Sequence, residues 1–335
     1  MQNLLEMKIP EREWIAYPFI QEKSLTTLYA ERGIGKTYFA ITLGMGIASG
    51  KNVFNFTIKK SHSVLYIDGE MTAKDFQDRV INLGFGMDLC NSDTPKNFHL
   101  LSNDLSPVPL PNLCRPDVQE QITPLLKDFE FIIIDNLSAL CSFANENEAG
   151  SWTPMQKWLI DLKRNGKSVL IIDHSGKDPE LGNRGTSKKQ DVMDSVISLS
   201  KPATYNITDG SKFVMYYKKA RNVAGSVLST VGFQLESSAP DGFLSWSRFE
   251  VSGKEKQASK EHSKMARLAL VDDLLKQGKS YRDIAAETGI NKSTVGELAK
   301  QLKQNIEQEQ PNKPVAEPEL KTINLEDLNP SMFPD

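Results

Sequence analysis

The sequence predicts an α/β protein with a mainly parallel sheet extended by antiparallel strands, followed by a small all-α helix-turn-helix domain. Three observations predict this. Continuous apolar runs alternate with helix-like segments from residue 24 to about 195, the pattern of strands covered on both faces by crossover helices. Helical patterning then stops, and four short strand-like runs follow. After a charged break, the spacing becomes that of two short helices joined by a tight turn.

Composition sets the bounds. At 335 residues there is room for one large domain and one small one, at roughly 100–200 residues per domain. Hydrophobic residues make up 39% and charged residues 25%, and no apolar run approaches the roughly 18 residues of a membrane span, so a soluble protein without membrane contact is expected. No basic-then-apolar leader is visible at the N-terminus. Cys90, Cys114 and Cys141 are odd in number and widely spaced, which argues against a disulfide framework or a zinc site and fits a reducing cytoplasm. The net charge of −3 gives no global attraction to nucleic acid, so any such binding must rest on local patches.

Residues 1–23 read as a lead-in that packs on the first strand. Ser24–Ala30 is that strand, and the run Ala30-Glu-Arg-Gly-Ile-Gly-Lys-Thr37 then turns into a helix over about 36–49. Glycines let backbone amides converge on phosphate, a Lys reaches the β- and γ-phosphates, and a Ser or Thr hydroxyl meets Mg²⁺. Gly33, Ile34, Gly35, Lys36, Thr37 and Tyr38 form the predicted nucleotide-binding segment. Ala30 stands where the pattern has its first glycine.

Ser63–Asp68 is a buried-strand run followed by Gly69-Glu70 and a helix with Phe76, Val80 and Leu83 on one face. A short strand at Phe98–Ser102 and a Pro-rich link precede a helix over about 117–127. Phe129–Asp135 is the strongest strand, and helix 152–165 leads to the strand Ser168–Asp173. Val196–Leu199, Phe213–Lys218, Val227–Leu235 and Phe243–Trp246 read as hairpin strands that extend the sheet. Residues 24–251 are thus the predicted catalytic domain, 252–262 a charged linker, 263–305 the helix-turn-helix domain and 306–335 an acidic, Pro-rich tail expected to be disordered. Residues 254–303 hold eleven Lys/Arg against seven Asp/Glu, a basic module in an acidic protein.

Several side chains could carry chemistry. Asp135, ending its strand, is the natural metal partner of Thr37. Glu70 is the favoured general base for water, with Asp68 its competitor and a helix N-cap the alternative role for either. His174 follows a third strand at the edge where ligands gather in open α/β sheets and could sense phosphate. Lys219 and Arg221, late in the chain, could reach transition-state charge in a neighbouring subunit, or form a solvated strand end. Lys177, Arg184, Lys188 and Lys189 fall in a loop suited to DNA phosphates or simply to water. Asn291, Lys292, Ser293 and Thr294 open the second helix of the helix-turn-helix, where base and phosphate contacts normally lie.

Taken in order, the run 30–37, Tyr66-Ile-Asp-Gly-Glu70, Ile132-Ile-Ile-Asp135, the Asn145-Glu-Asn loop, Asp173-His-Ser-Gly-Lys177 with Arg184-Gly-Thr-Ser187, and Lys219-Ala-Arg221 resemble the RepA-like hexameric helicases and related ATPases of the RecA/DnaB superfamily. The resemblance covers about residues 12–250. It implies a RecA-like P-loop core that uses ATP and Mg²⁺, with Lys36 and Thr37 on phosphate and metal, Glu70 as base, Asp135 as metal carboxylate and His174 as sensor. It also implies Arg221 and Lys219 reaching into the next subunit of a hexameric ring whose channel takes single-stranded DNA. The expected activity is a DNA-dependent ATPase, a ring helicase or helicase-like replication protein of a mobile element. The competing expectation is an ATP-switched DNA-binding regulator or initiator that does not unwind.

Overall fold

The computed structural model describes residues 6–141, 152–174, 188–202, 204–238, 241–251, 267–268, 270–288 and 290–308, with the side chains of 188 and 303–308 excepted. Eleven strands occur among them: β1 Trp14–Ala16, β2 Ile20–Gln21, β3 Leu25–Ala30, β4 Val64–Asp68, β5 Phe98–Ser102, β6 Phe131–Asp135, β7 Ser168–His174, β8 Ser195–Ser200, β9 Lys212–Ala220, β10 Val231–Ser237 and β11 Leu244–Phe249. Nine form one sheet in the order β11-β10-β9-β8-β3-β7-β6-β4-β5. Strands β8 through β5 in that order run parallel, and β9, β10 and β11 add on antiparallel. This is the predicted fold class.

Two expectations change in detail. Val196–Leu199 is not merely an extending hairpin strand, because β8 pairs parallel with β3 and so closes the parallel half. The lead-in does not pack on the first strand alone. It forms the hairpin β1–β2, whose Ile15, Phe19 and Ile20 are buried, and Phe19 stacks on Phe56 at 5.6 Å.

The central strand β3 is buried at every position although its sequence is Leu-Thr-Thr-Leu-Tyr-Ala. Its two threonines are tolerated because their hydroxyls donate to carbonyls of β7, Thr26 to Val169 at 2.9 Å and Thr27 to Ile171 at 3.1 Å. Leu28 and Ala30 point into one core with Phe39, Leu43 and Ile47 from helix α1 (Lys36–Ser49). Leu25 and Tyr29 point into the other. Apolar residues of the helix Thr153–Arg164, Met155, Leu159 and Leu162, cover that second face. A three-layer arrangement follows, and it brings the carboxyl ends of β3, β4, β6 and β7 to one edge: Asp68 is the register partner of Asp135, and Ala30 that of His174.

Beyond the sheet, helical residues 270–276 and the helices Tyr281–Thr288 and Lys292–Gln308 share an apolar core of their own around Val271, Ile284 and Val295, each at 0% exposure. The last helix runs three residues past 305. The predicted linker 252–262 and the tail from 309 lie outside the described residues.

Candidate active site

The phosphate loop joins β3 to α1. Gly33 and Gly35 have φ of 76° and 108°, a region L side chains avoid, and Ser211 packs 2.8 Å from where a Cβ on Gly35 would sit. Ala30, by contrast, is an ordinary strand residue with negative φ, so the missing first glycine carries no conformational penalty. Gly35 caps α1, and Lys36 is its first residue. The Lys36 ammonium, in a side chain only 7% exposed, donates to the carbonyls of Ala30 at 2.9 Å and Glu31 at 2.7 Å. Burial pulls its pKa down to about 8, with Asp135, Asp173 and Glu70 acting in the opposite direction. A buried cation whose hydrogen bonds run to neutral carbonyls, beside an open cleft, is well placed to take an anionic phosphate.

Asp135 is buried at the end of β6. Tyr66 donates to its Oδ2 at 2.5 Å, and the Thr37 hydroxyl also hydrogen-bonds it. Burial raises its pKa, opposed by Tyr66, Thr37 and Lys36, while burial and Asp135 hold the Tyr66 phenol well above its usual value. Among the described residues no group of three or more His, Cys, Asp or Glu could hold a metal unaided. Thr37 and Asp135 place a hydroxyl beside a carboxylate, a donor set of the kind Mg²⁺ takes when phosphate and water complete its shell.

The two candidate bases differ in exposure. Asp68 is 1% exposed, and its Oδ2 accepts the Met71 amide at 3.0 Å, so it braces the turn after β4. Burial, then the Asp135 charge, pushes its pKa up to about 7. Glu70 is exposed in the cleft, and the Asn136 side-chain amide donates to its Oε2. His174 is half-buried at the end of β7 and lines the same cleft of about 420 Å³ with Lys36, Thr37, Glu70 and Asp135. Arg79, whose guanidinium lies 4.3 Å over the Tyr38 ring, and Ser211 line it too. Ile34 is fully buried behind the loop rather than in the cleft lining.

Lys219 and Arg221 are not brought to this cleft. Lys219 is the register partner of Val196, at the start of β8, whereas the phosphate loop leaves the opposite end of the parallel strands. Lys219 donates to the Gln190 carbonyl at 2.6 Å and Arg221 to the Asp191 carbonyl at 2.6 Å, both on the short helix Lys188–Asp191. The Lys219 ammonium is held below its usual pKa by burial and by Arg221.

One expectation is corrected. Lys189 is not a solvent-facing cation: it is 7% exposed, and its ammonium lies 3.2 Å from the buried Asp173. A charge so placed cannot reach a DNA phosphate without breaking that pair. Lys177 and Arg184 lie outside the described residues, and Lys188 is described only as helical backbone. At the second C-terminal helix, Asn291, Lys292 and Ser293 are exposed and Thr294 is half-buried. The Asn291 Oδ1 accepts from Ser293 N at 3.3 Å and Ser293 Oγ at 3.2 Å, so part of this cluster caps the helix.

Sequence reasoning missed Tyr66, Arg79, Asn136 and Ser211. Tyr66 stood in the quoted run before Asp68, two residues away on the same strand. Nothing in the sequence signalled that Asn136 would meet a carboxylate 66 positions earlier.

The glycine loop, the buried Lys and the Thr–Asp pair, on the carboxyl edge of a mostly parallel sheet, make up a P-loop nucleotide-binding site on an α/β fold. Residues 1–180, more than half of the chain, match the AAA domain family, and the chain belongs to that family. Two solved structures are similar in fold. The RadB recombinase is 15% identical, with 65% of this chain and 89% of that chain covered and a TM-score of 0.46. The flagellar accessory protein FlaH from Methanocaldococcus jannaschii is 16% identical, with 68% and 90% covered and a TM-score of 0.47. No curated protein matches the sequence. Among the described residues no helix is long and apolar enough to cross a membrane.

Proposed function

We propose that this chain is an ATP hydrolase that acts as a ring-forming, DNA-dependent motor in the cytoplasm, a replicative helicase or helicase-like replication protein of a mobile element. The observation that carries the reading is a division of labour across the sheet. The phosphate loop, Asp135 and Glu70 meet at one end of the parallel strands, while Lys219 and Arg221 stand at the other. Cations so placed could serve catalysis in a second copy of the chain brought up head to tail, and such a contact makes a ring where its rotation closes.

In this reading Lys36 and the loop amides bind the β- and γ-phosphates. Mg²⁺, held by Thr37 and Asp135, would neutralise phosphate charge. Glu70 takes a proton from the attacking water, and His174 at the neighbouring strand end reports the γ-phosphate. Arg221 and Lys219 of one copy stabilise charge in the site of the next. Residues 24–251 form the ATPase domain and 263–305 a separate DNA-contacting domain joined by the charged linker. Lys177, Arg184 and Lys188 remain the proposed strand contacts, and Lys189 is withdrawn from that set.

A second reading is an ATP-switched regulator or initiator. The separate apolar core of the C-terminal helices, with Asn291, Lys292 and Ser293 exposed, favours it. ATPase measured with single-stranded and duplex DNA at stated salt, native mass with a non-hydrolysable analogue, and unwinding of a forked duplex decide between them. Stimulation by single strands, a ring mass and unwinding support the motor. A ring that neither responds to single strands nor unwinds supports the switch.

A further inference from the structure

We infer that Asn136 is a positioning residue that aims the Glu70 carboxylate into the phosphate cleft. The inference rests on the reading of Glu70 as general base and adds what holds that base in place.

Asn136 follows Asp135 at the end of β6 and is 4% exposed. Its Oδ1 accepts from Ala139 N at 2.9 Å and from Ser138 Oγ at 2.6 Å, which makes it the N-cap of the short helix Leu137–Leu140. Because its oxygen serves an N–H donor there, the amide cannot flip without facing that N–H with its own NH₂ group. Its Nδ2 is therefore committed to the other side, where it donates to Glu70 Oε2.

The turn that carries Glu70 rests on the same short helix. Gly69 N donates to the Asp135 carbonyl at 2.9 Å, and a Cβ on Gly69 would come within 2.7 Å of the Leu140 side chain. Backbone and side chain are thus both tied to the β6 end, although Glu70 is itself exposed. An exposed Glu has three free torsions and samples many rotamers. One fixed donor on Oε2 restricts that sampling and leaves Oε1 open to accept a proton from water. The metal carboxylate candidate and the positioning of the base thus fall to the consecutive residues Asp135 and Asn136, at and just past the end of β6.

The test uses the full chain and three variants. Asn136→Ser keeps an N-cap oxygen but removes the donor to Glu70. The inference expects kcat to fall on the order of 10-fold to 100-fold, with ATP affinity and melting temperature close to wild type. Asn136→Asp keeps the cap and sets a second carboxylate against Glu70. Arg32, Lys36, Arg79, Asp68, Asp135 and His174, the other charged or histidine side chains that line the same cleft, are unchanged in it. Facing carboxylates hold a proton more tightly, so the acid limb of the kcat profile should move to higher pH. A residue that only capped the helix would leave that limb in place. Glu70→Gln is the control. If it is inactive while Asn136→Ser and Asn136→Asp both keep the wild-type kcat and pH profile, the positioning role is overturned and the base survives. If Glu70→Gln hydrolyses ATP normally, the base assignment fails and the positioning role with it.

Discussion

Lys189 and Asp173 form a buried ion pair, ammonium to carboxylate 3.2 Å, with side chains 8% and 5% exposed. The pair ties the helix Lys188–Asp191 to the residue before His174, at the cleft edge of β7. Removing one partner of a buried pair costs up to about 3–5 kcal/mol, less where the remaining charge keeps other interactions, as Asp173 does with Lys36, whereas replacing both with apolar or neutral groups is milder. Lys189→Ala should therefore lower unfolding free energy by up to that much, and Lys189→Met combined with Asp173→Asn should recover most of it. Denaturant unfolding checks this. A fully stable Lys189→Ala that loses stimulation by single strands would restore it as a DNA contact.

Asp68 links stability to pH. Its carboxyl is pushed from the ordinary value near 3.8 up to about 7, first by burial and then by Asp135. A raised acid pKa means the folded state resists ionisation, so the group's contribution is fully present below about pH 4 and is lost as pH rises toward 7. Asp68→Asn should gain on wild type across that window, by on the order of 1–2 kcal/mol once screening in the open cleft is allowed for. Unfolding at pH 4.5, 6 and 7.5 measures it. A difference between the proteins that does not change with pH would contradict the assignment.

Lys36 should make nucleotide binding consume a proton. Burial holds its pKa near 8, and a phosphate beside it raises that value again. Proton uptake on ATP binding should be small at pH 7, approach one per site near pH 9, and bring a falling affinity above pH 8. Calorimetry in buffers of different ionisation enthalpy reads the uptake directly. No uptake at pH 9 would show that the lysine holds the same charge in the free and the nucleotide-bound protein, against a binding-coupled protonation.

Arg221 should act in trans. Arg221→Ala and Lys36→Ala, each inactive alone, should regain turnover when mixed, since some interfaces then join an intact loop to an intact arginine. Verified mixing without recovery at any ratio would argue against shared sites.

Much of the fold was legible because β4, β6 and β7 are apolar runs that end in Asp or Asp-His, and because α1 starts on Lys36 and stops at Gly50. Strand order was not legible. The parallel pairing of β8 with β3 joins residues about 170 positions apart, and period-two patterning says nothing about the neighbour. The same limit hid Lys189. A lysine beside another lysine reads as a solvated loop, and only the fold sets it against a buried carboxylate. The different exposure of Asp68 and Glu70 was likewise hidden until the turn after β4, braced by Asp68, was seen.

The central claim is ATP hydrolysis at the Lys36–Asp135 cleft with Glu70 as base. The measurement that tests it most directly is paired ATP binding and single-turnover hydrolysis in wild type, Lys36→Ala and Glu70→Gln. Wild type should bind and hydrolyse, Lys36→Ala should lose binding, and Glu70→Gln should bind as tightly as wild type with turnover reduced by on the order of 100-fold or more. Wild-type protein that does not hydrolyse ATP in the presence of Mg²⁺, or Glu70→Gln that turns over at the wild-type rate, would contradict it.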